Sequence, residues 1–255
     1  MSEPVCLFHV SDIHFGHEDR TALDWFASEV EQYRPHHIIC TGDLTMRGNA
    51  REFAVARAWL EGLNTPVSLE IGNHDVPYYW YPAARIMHPF RLFRALDAAV
   101  GTSPDLANVG LTNLRTVAAF QWRLNLSKGR VAPSDLQAAC ASVSRQSDKA
   151  LRIVASHHPL VDAHTASTGS TRNGHSALSA LARAGADVFL SGHVHDAFNM
   201  TREVAGREIR MIGAGTLSQR LRASGPSYNQ LTFVDGNLNV KECVLGMSPH
   251  VIPPE

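Results

Sequence analysis

The chain has 255 residues, 44% of them apolar, enough to bury the core of one large domain. Its 23 basic and 24 acidic side chains leave a formal charge of -1, which gives no overall electrostatic grip on a nucleic-acid polymer or a membrane surface. Cys6, Cys40, Cys140 and Cys243 lie far apart with no CxxC pair, which excludes a disulfide-stapled scaffold and reads as reduced, mostly buried thiols.

An apolar run at Val5–Val10 opens the chain, and a helix follows over 21–33 with Ala22, Phe26, Val30 and Tyr33 on one face. The start lacks the basic, apolar and small-residue succession of a secretory leader, so a cytoplasmic setting is expected. No run approaches the roughly 20 apolar residues that a transmembrane helix needs. A second unit pairs a strand at 38–40 with a helix striped by Phe53, Ala56, Leu60 and Leu63, and a third strand is predicted at 67–71.

Residues 76–110 differ in character, beginning with an aromatic stretch that includes Tyr78, Tyr79, Trp80 and Tyr81. A helix is predicted from near Pro89, with Phe90, Phe93, Leu96 and Val100 inward. This insertion reads either as a cap or rim or as a helix packed on the core. Strands are predicted within 109–122, and a helix capped by Ser134 carries Leu136, Ala139 and Val143. Short buried strands at 153–156 and 188–190 flank a helix at 176–184, and a hairpin closes the chain with strands at 230–234 and 238–244 around an Asp235-Gly236 turn. Strands alternating with helices argue for an α/β domain spanning 1–255 with at least a partly parallel sheet.

The chain carries 14 histidines, and their placement decides the chemistry. The strand endings read Ser11-Asp12-Ile13-His14, Thr41-Gly42-Asp43, Gly72-Asn73-His74-Asp75, Ser156-His157-His158-Pro159 and Ser191-Gly192-His193-Val194-His195. In an α/β sheet the carboxyl ends of the strands face one crevice, so these distant stretches converge. Their oxygen and imidazole donors suit hard to borderline metals, and Asp12, His14, Asp43, Asn73, His157, His193 and His195 are too many for one tetrahedral ion but fit two ions.

This order of motifs, DxH, GD, GNHD, a His ahead of x-Pro, and GHxH, resembles the calcineurin-like metallophosphoesterases. Within that superfamily, GDLT and GNHDVP resemble the small bacterial class that includes cyclic-nucleotide and glycerophosphodiester phosphodiesterases. The resemblance implies a four-layer αββα sandwich of two mixed β-sheets flanked by helices. It further implies two divalent or trivalent ions, with Mn, Fe or Zn foremost. One would sit on Asp12, His14, Asp43 and His195 and the other on Asp43, Asn73, His157 and His193, with Asp43 bridging and His157 favoured over His158. His74 matches the family's catalytic, non-ligand histidine and Asp75 a partner that orients it. A bridging water or hydroxide would attack phosphorus in line.

His17, on the loop leaving His14, is a candidate substrate contact. Arg47 and Arg85 offer a phosphate fork or simply exposed charge. The expected activity is hydrolysis of a small-molecule phosphodiester, a cyclic nucleotide or a glycerol- or nucleotide-type diester. A phosphomonoesterase, a nucleotide-sugar lipid pyrophosphatase and a non-catalytic binding module on the same fold are the alternatives. Self-association into a homo-oligomer is left open.

Overall fold

A computed structural model describes residues 3–78, 82–106, 108–118, 127–163, 165 and 171–254. Two sheets stack face to face with helices on both outer sides. The first contains β1 (Val5–Val10), β2 (His37–Cys40), β3 (Val67–Leu69), β9 (Ser227–Val234), β10 (Asn237–Val244) and β11 (His250–Val251), in the order β11-β10-β9-β1-β2-β3. The second contains β4 (Val109–Asn113), β5 (Leu151–Ala155), β6 (Val188–Ser191), β7 (Phe198–Val204) and β8 (Arg207–Gly213), in the order β4-β5-β6-β8-β7. In the first sheet β1, β2 and β3 run parallel, with β9 and β10 added antiparallel. In the second, β4, β5, β6 and β8 are parallel and β7 returns antiparallel.

The two-residue period of a strand distributes its side chains between layers. Phe8 and Val10 face the core shared with α1 (Arg20–Tyr33) and α2 (Ala50–Gly62), whereas Leu7 faces the inter-sheet core with Ile39, Ile153, Leu190 and Leu231. A third core lies between the second sheet and α5 (Pro133–Arg145) and α6 (Gly174–Ala184), around Leu160, Leu178, Leu181 and Phe189. Phe8 and Phe26 meet Tyr228 at centroid distances of 4.6 and 5.1 Å, and the Tyr228 hydroxyl donates to Glu29 Oε2 at 2.8 Å, so the phenol is buried without losing its polar partner. Asp19 and Asn49 cap α1 and α2 by accepting from Ala22 N and Glu52 N.

Several local expectations change. Tyr33, placed on the buried face of the first helix, is 42% exposed, because the helix stops there at Arg34 in the left-handed region, φ 46°. The fifth helix is not capped by Ser134: Ala132 holds the cap position and Pro133 takes the first turn, where its missing N–H costs nothing. The helix expected from near Pro89 is α4 (Arg91–Val100), which buries Phe93 and Leu96 in the same core as α2, and a short helix before it, α3 (Pro82–Met87), was not anticipated. Tyr79, Trp80, Tyr81 and the stretch 119–126 lie outside the described residues. The β7–β8 hairpin was not anticipated. No described helix is long and apolar enough to cross a membrane.

Candidate metal centre

The loops leaving β1 and β2 are zipped together: Asp12 N–H donates to the Gly42 carbonyl at 3.0 Å, His14 N–H to that of Asp43 at 2.9 Å and Phe15 N–H to that of Leu44 at 2.8 Å. Within the second sheet, the loop after β6 is fixed by Gly192 N–H donating to the His157 carbonyl at 2.9 Å, and across the inter-sheet boundary His193 N–H donates to Asp12 Oδ2 at 2.8 Å. The Asp12 carboxylate therefore ties the two sheets together at one end.

This crossing forces unusual conformations. Asp12, His14, Asp43, His193 and His195 all have positive φ, between 50° and 71°, a region that L-residues with side chains seldom occupy. Each costs about 1–3 kcal/mol, offset by surrounding contacts, and such strain concentrates at functional sites. Two glycines make the approach achievable. Gly42 sits at φ 95° with no room for a Cβ between Gly72 N and His157 Nδ1, and a Cβ on Gly192 would fall on Ser11 Oγ, next to Asp12 Oδ2.

Three sets of side chains have donor atoms within 4.8 Å of one another: Asp12, His14 and His195; Asp12, Asp43 and His157; and His14, Asp43 and His74. A further set joins His157, His158 and His193. Asp43 Oδ2 stands 3.4 Å from His157 Nε2 and 3.7 Å from His14 Nε2, and Asp12 Oδ1 stands 3.1 Å from His195 Nε2 and 3.7 Å from His14 Nε2. Asn73 Oδ1 lies 3.1 Å from His157 Nε2.

The outer nitrogens reveal why this arrangement suits cations. His157 Nδ1 is 2.8 Å from the Thr41 carbonyl and His195 Nδ1 is 2.6 Å from that of Arg220. A carbonyl only accepts, so both Nδ1 atoms carry hydrogen, and in the neutral ring Nε2 is a bare lone pair. Those lone pairs face carboxylate oxygens, which are acceptors too. A proton or a metal ion between them makes such a contact favourable, and a main-chain carbonyl fixing the far nitrogen is the usual support of a metal-ligating histidine. Buried Asp12 Oδ1 correspondingly lacks a hydrogen bond of good geometry.

Protonation follows the same logic. Burial lowers the His157 imidazole, but the Asp43 charge and its hydrogen bond overcome this and hold it up to about 9. His195 is likewise raised against burial, chiefly by Asp12. His14 is pushed down to about 3 and His193 to about 4, mainly by burial. Asp43 stays well below the carboxylate range despite burial because His157 and His74 surround it.

His158 differs. Its Nε2 donates to the Ser127 carbonyl at 2.8 Å and its Nδ1 pairs with Thr116 Oγ1 at 2.9 Å, so neither nitrogen remains to meet an ion although the ring stacks beside those of His157 and His193. His74 lies at the rim, its N–H donating to Asp43 Oδ1 at 2.8 Å and its Nδ1 2.8 Å from the Met46 carbonyl. Asp75 accepts from Gly72 N, Thr45 N and Thr45 Oγ1, at 2.8, 2.8 and 2.9 Å, and so ties the turn carrying His74 to the loop carrying Asp43. Burial and the Asp43 charge raise its carboxyl to about 7, against the three donors that favour the ionised form.

Exposed His17 lines an open pocket of about 640 Å³ with Glu18, Asp19, Arg20 and Gln219. Arg85 donates to the Pro77 carbonyl at 2.8 Å and Arg47 is exposed. His164 lies outside the described residues, and His9, His36 and His37 are held structurally by Thr41, Cys6 N and Ser68. The residue that the motifs missed is Arg220. It follows β8, a further parallel strand ending at the same edge, and its Nη1 lies 3.0 Å from His74 Nε2. The sequence offered only a faint signal, Met211-Ile212 running into Gly213-Ala214-Gly215 at the end of a stretch that also carries Arg207, Glu208 and Arg210.

No curated protein matches the chain by sequence. Among solved structures, a dimetal phosphatase from Danio rerio superimposes with a TM-score of 0.71 at 14% identity, covering 99% of this chain and 100% of that one. GAP50, the anchor in the inner membrane complex of Plasmodium, gives 0.63 at 12% identity, covering 100% of this chain and 90% of that one. The purple acid phosphatase PPD1 from yellow lupin seeds gives 0.63 at 12% identity over 100% of this chain and 55% of that one. At these identities the likeness is one of fold, with two mixed sheets between helical layers. The sequence model described as calcineurin-like phosphoesterase matches residues 7–197, which spans the β1-to-β6 frame and every strand ending that supplies the cradle. With groups of Asp and His side chains placed to hold metal at the shared end of both sheets, the chain belongs to the calcineurin-like phosphoesterase family.

Proposed function

We propose that this chain is a two-metal phosphodiesterase whose substrate is a cyclic nucleotide or a small glycerol- or nucleotide-type diester. The observation that carries the reading is Asp43 Oδ2, which faces His157 Nε2 at 3.4 Å and His14 Nε2 at 3.7 Å and so belongs to two donor groups at once. One ion would be held by Asp12, His14, Asp43 and His195, the other by Asp43, Asn73, His157 and His193. The mixed oxygen and imidazole set favours Mn, Fe or Zn. When bound, the pair would polarise the phosphoryl oxygens and acidify a water nucleophile.

The chain's own groups supply position. The Thr41 and Arg220 carbonyls lock the His157 and His195 rings, so the cradle needs no reorganisation before substrate arrives. His74, the family's non-ligand histidine, stands at the rim of the cradle, and Asp75 keeps its turn in register with Asp43. His17, on the loop leaving His14, is our candidate for a contact to the substrate. Preference for a diester rests on Asp43 being followed by Leu44-Thr45-Met46-Arg47-Gly48, without the second acid of the GDxxDRG pattern that resembles protein serine/threonine phosphatases.

The test is a panel of monoesters, linear diesters, cyclic nucleotides and pyrophosphates assayed with Mn, Fe and Zn. A diester should lead in kcat/KM by about tenfold or more, the ratio reporting differential stabilisation of the transition state. Preference for a monoester or a pyrophosphate would replace the substrate assignment. A folded, metal-loaded protein inert toward every member would favour a binding module.

A further inference from the structure

Arg220 reaches the cradle from a loop that is fastened on every side. Thr216 Oγ1 donates to the Asp12 carbonyl at 2.6 Å, Ser218 bridges to Glu18, Gln219 N–H donates to the His17 carbonyl at 3.2 Å and Ala223 N–H to Asp196 Oδ1 at 3.0 Å. The Arg220 carbonyl is the group that orients His195. Its backbone is thus part of the site, while its half-buried guanidinium points inward, Nη1 3.0 Å from His74 Nε2 and 3.4 Å from His14 Nε2.

Its partners are the wrong kind for a structural arginine. Among the described residues no carboxylate lies within ion-pair distance of Arg220. A guanidinium keeps its charge at any ordinary pH, and one drawn partly out of water with no carboxylate beside it is free to receive an anion. It rests instead on an imidazole. Because His74 Nδ1 faces the Met46 carbonyl, that nitrogen carries the hydrogen, and Nε2 accepts from Arg220. In this state the His74 atom nearest the site has a lone pair and no proton to donate.

We infer that Arg220 grips a non-bridging oxygen of the substrate's phosphoryl group, and that His74 acts by holding the guanidinium for that purpose and not by protonating the leaving group. The inference rests on the proposed phosphoester hydrolysis and specifies how the oxyanion is recognised. Two further observations agree with it. The planar fork matches phosphate geometry, and one Nη engaged by His74 leaves other N–H groups to donate. Cations in the cradle would disfavour the contact with His14 by like charge but leave the one with His74 intact.

The experiment measures inorganic phosphate binding to metal-loaded protein by calorimetry, with metal content by mass spectrometry, for wild type, Arg220→Gln, Arg220→Lys and His74→Ala. Arg220→Gln should keep its metal and melting temperature and bind phosphate about 10- to 100-fold more weakly, the range for losing one hydrogen bond to a charged group. Arg220→Lys should recover part of the loss, and it alone decides the matter should the glutamine variant not fold. In turnover, His74→Ala should slow an aryl and an alkyl phosphoester by the same factor. The Arg220→Gln/His74→Ala double variant should be little worse than Arg220→Gln alone.

Wild-type phosphate affinity in Arg220→Gln would overturn the assignment, as would loss of phosphate binding together with metal, which would make Arg220 a brace of the cradle. A His74→Ala defect confined to esters with poor leaving groups would restore His74 as the proton donor and overturn its positioning role. Phosphate binding that depends on Arg220 in a wild-type protein that turns over no ester would support the anchor and sink the hydrolase reading.

Discussion

Asp43 is divided between two tasks, because Oδ1 accepts the His74 backbone N–H at 2.8 Å while Oδ2 is left between His157 Nε2 and His14 Nε2. The main chain fixes one oxygen so that the other can be shared. Asp43→Asn would put an amide where one of these acceptors is needed and remove the charge. The expected result is a folded protein whose metal affinity falls by at least about 100-fold, beyond the loss typical of changing an outer-shell partner. Equilibrium dialysis with metal analysis checks it, and two ions retained per chain would remove Asp43 from the bridge.

The adjacent histidines should separate cleanly. His157→Ala is expected to abolish loading of one ion, since its Nε2 faces Asp43 and Asn73. His158→Ala should leave the metal count intact and lower stability by about 2–3 kcal/mol, because Ser127 O and Thr116 Oγ1 both lose a buried partner. Denaturant unfolding alongside metal analysis distinguishes them, and the reverse pattern would exchange their roles.

Metal uptake should release protons. His157 titrates at about 9 in the metal-free fold against a usual 6.5, so at pH 7.5 a proton occupies the place of an ion. Apparent metal affinity should therefore climb with pH and level off near 9. Calorimetry in buffers of different ionisation enthalpy should detect about one proton from this group, and none released would argue against ligation by His157. The sign for stability is opposite: a raised folded pKa contributes fully below 6.5 and is lost as pH rises through about 9, so the metal-free melting temperature should decline over that window.

Chelation should loosen the cradle before the sheets. The positive-φ backbones of Asp12, His14, Asp43, His193 and His195 hold about 1–3 kcal/mol of strain apiece, which bound ions would help to offset. Hydrogen exchange after metal removal should accelerate first in the loops following β1, β2 and β6. Uniform acceleration through the strands would show that the ions stabilise the fold as a whole.

Gly192→Ala should disable the site without touching a donor. The new methyl would collide with Ser11 Oγ and crowd Asp12 Oδ2, which accepts the His193 N–H. Loss of about 2 kcal/mol or more and weakened metal binding are expected from overpacking. Unchanged melting and metal content would mean that the loop shifts freely.

The candidate metal-binding end was legible because β1, β2, β3, β5 and β6 are short apolar runs soon followed by Gly, Asp or His, and the β-α alternation sends those stops to one edge. Arg220 was not legible for the converse reason. β7 and β8 interleave Arg202, Glu203, Glu208 and Arg210 with their apolar residues, so the hairpin lacks a clean apolar run and the loop after it carries no metal-type ending. Tyr33 failed because periodicity cannot tell where a helix frays, and Ser134 failed because Pro133 set the helix start. The motif favoured His157 over His158 by its place two before Pro159, but what keeps His158 apart, the enclosure of its ring by Thr116 and Ser127, is a tertiary contact that the sequence does not display.

Because Asp12, Asp43 and Asn73 hang from one sheet and His157, His193 and His195 from the other, two bound ions would work as a rivet between halves that at that edge are otherwise joined by a few hydrogen bonds, such as His193 N–H to Asp12 and His157 to the Thr41 carbonyl. Neither half owns a complete coordination set. Severing the chain between β4 and β5 would yield fragments that regain the centre only by reassociating, and the ions would report on that reunion.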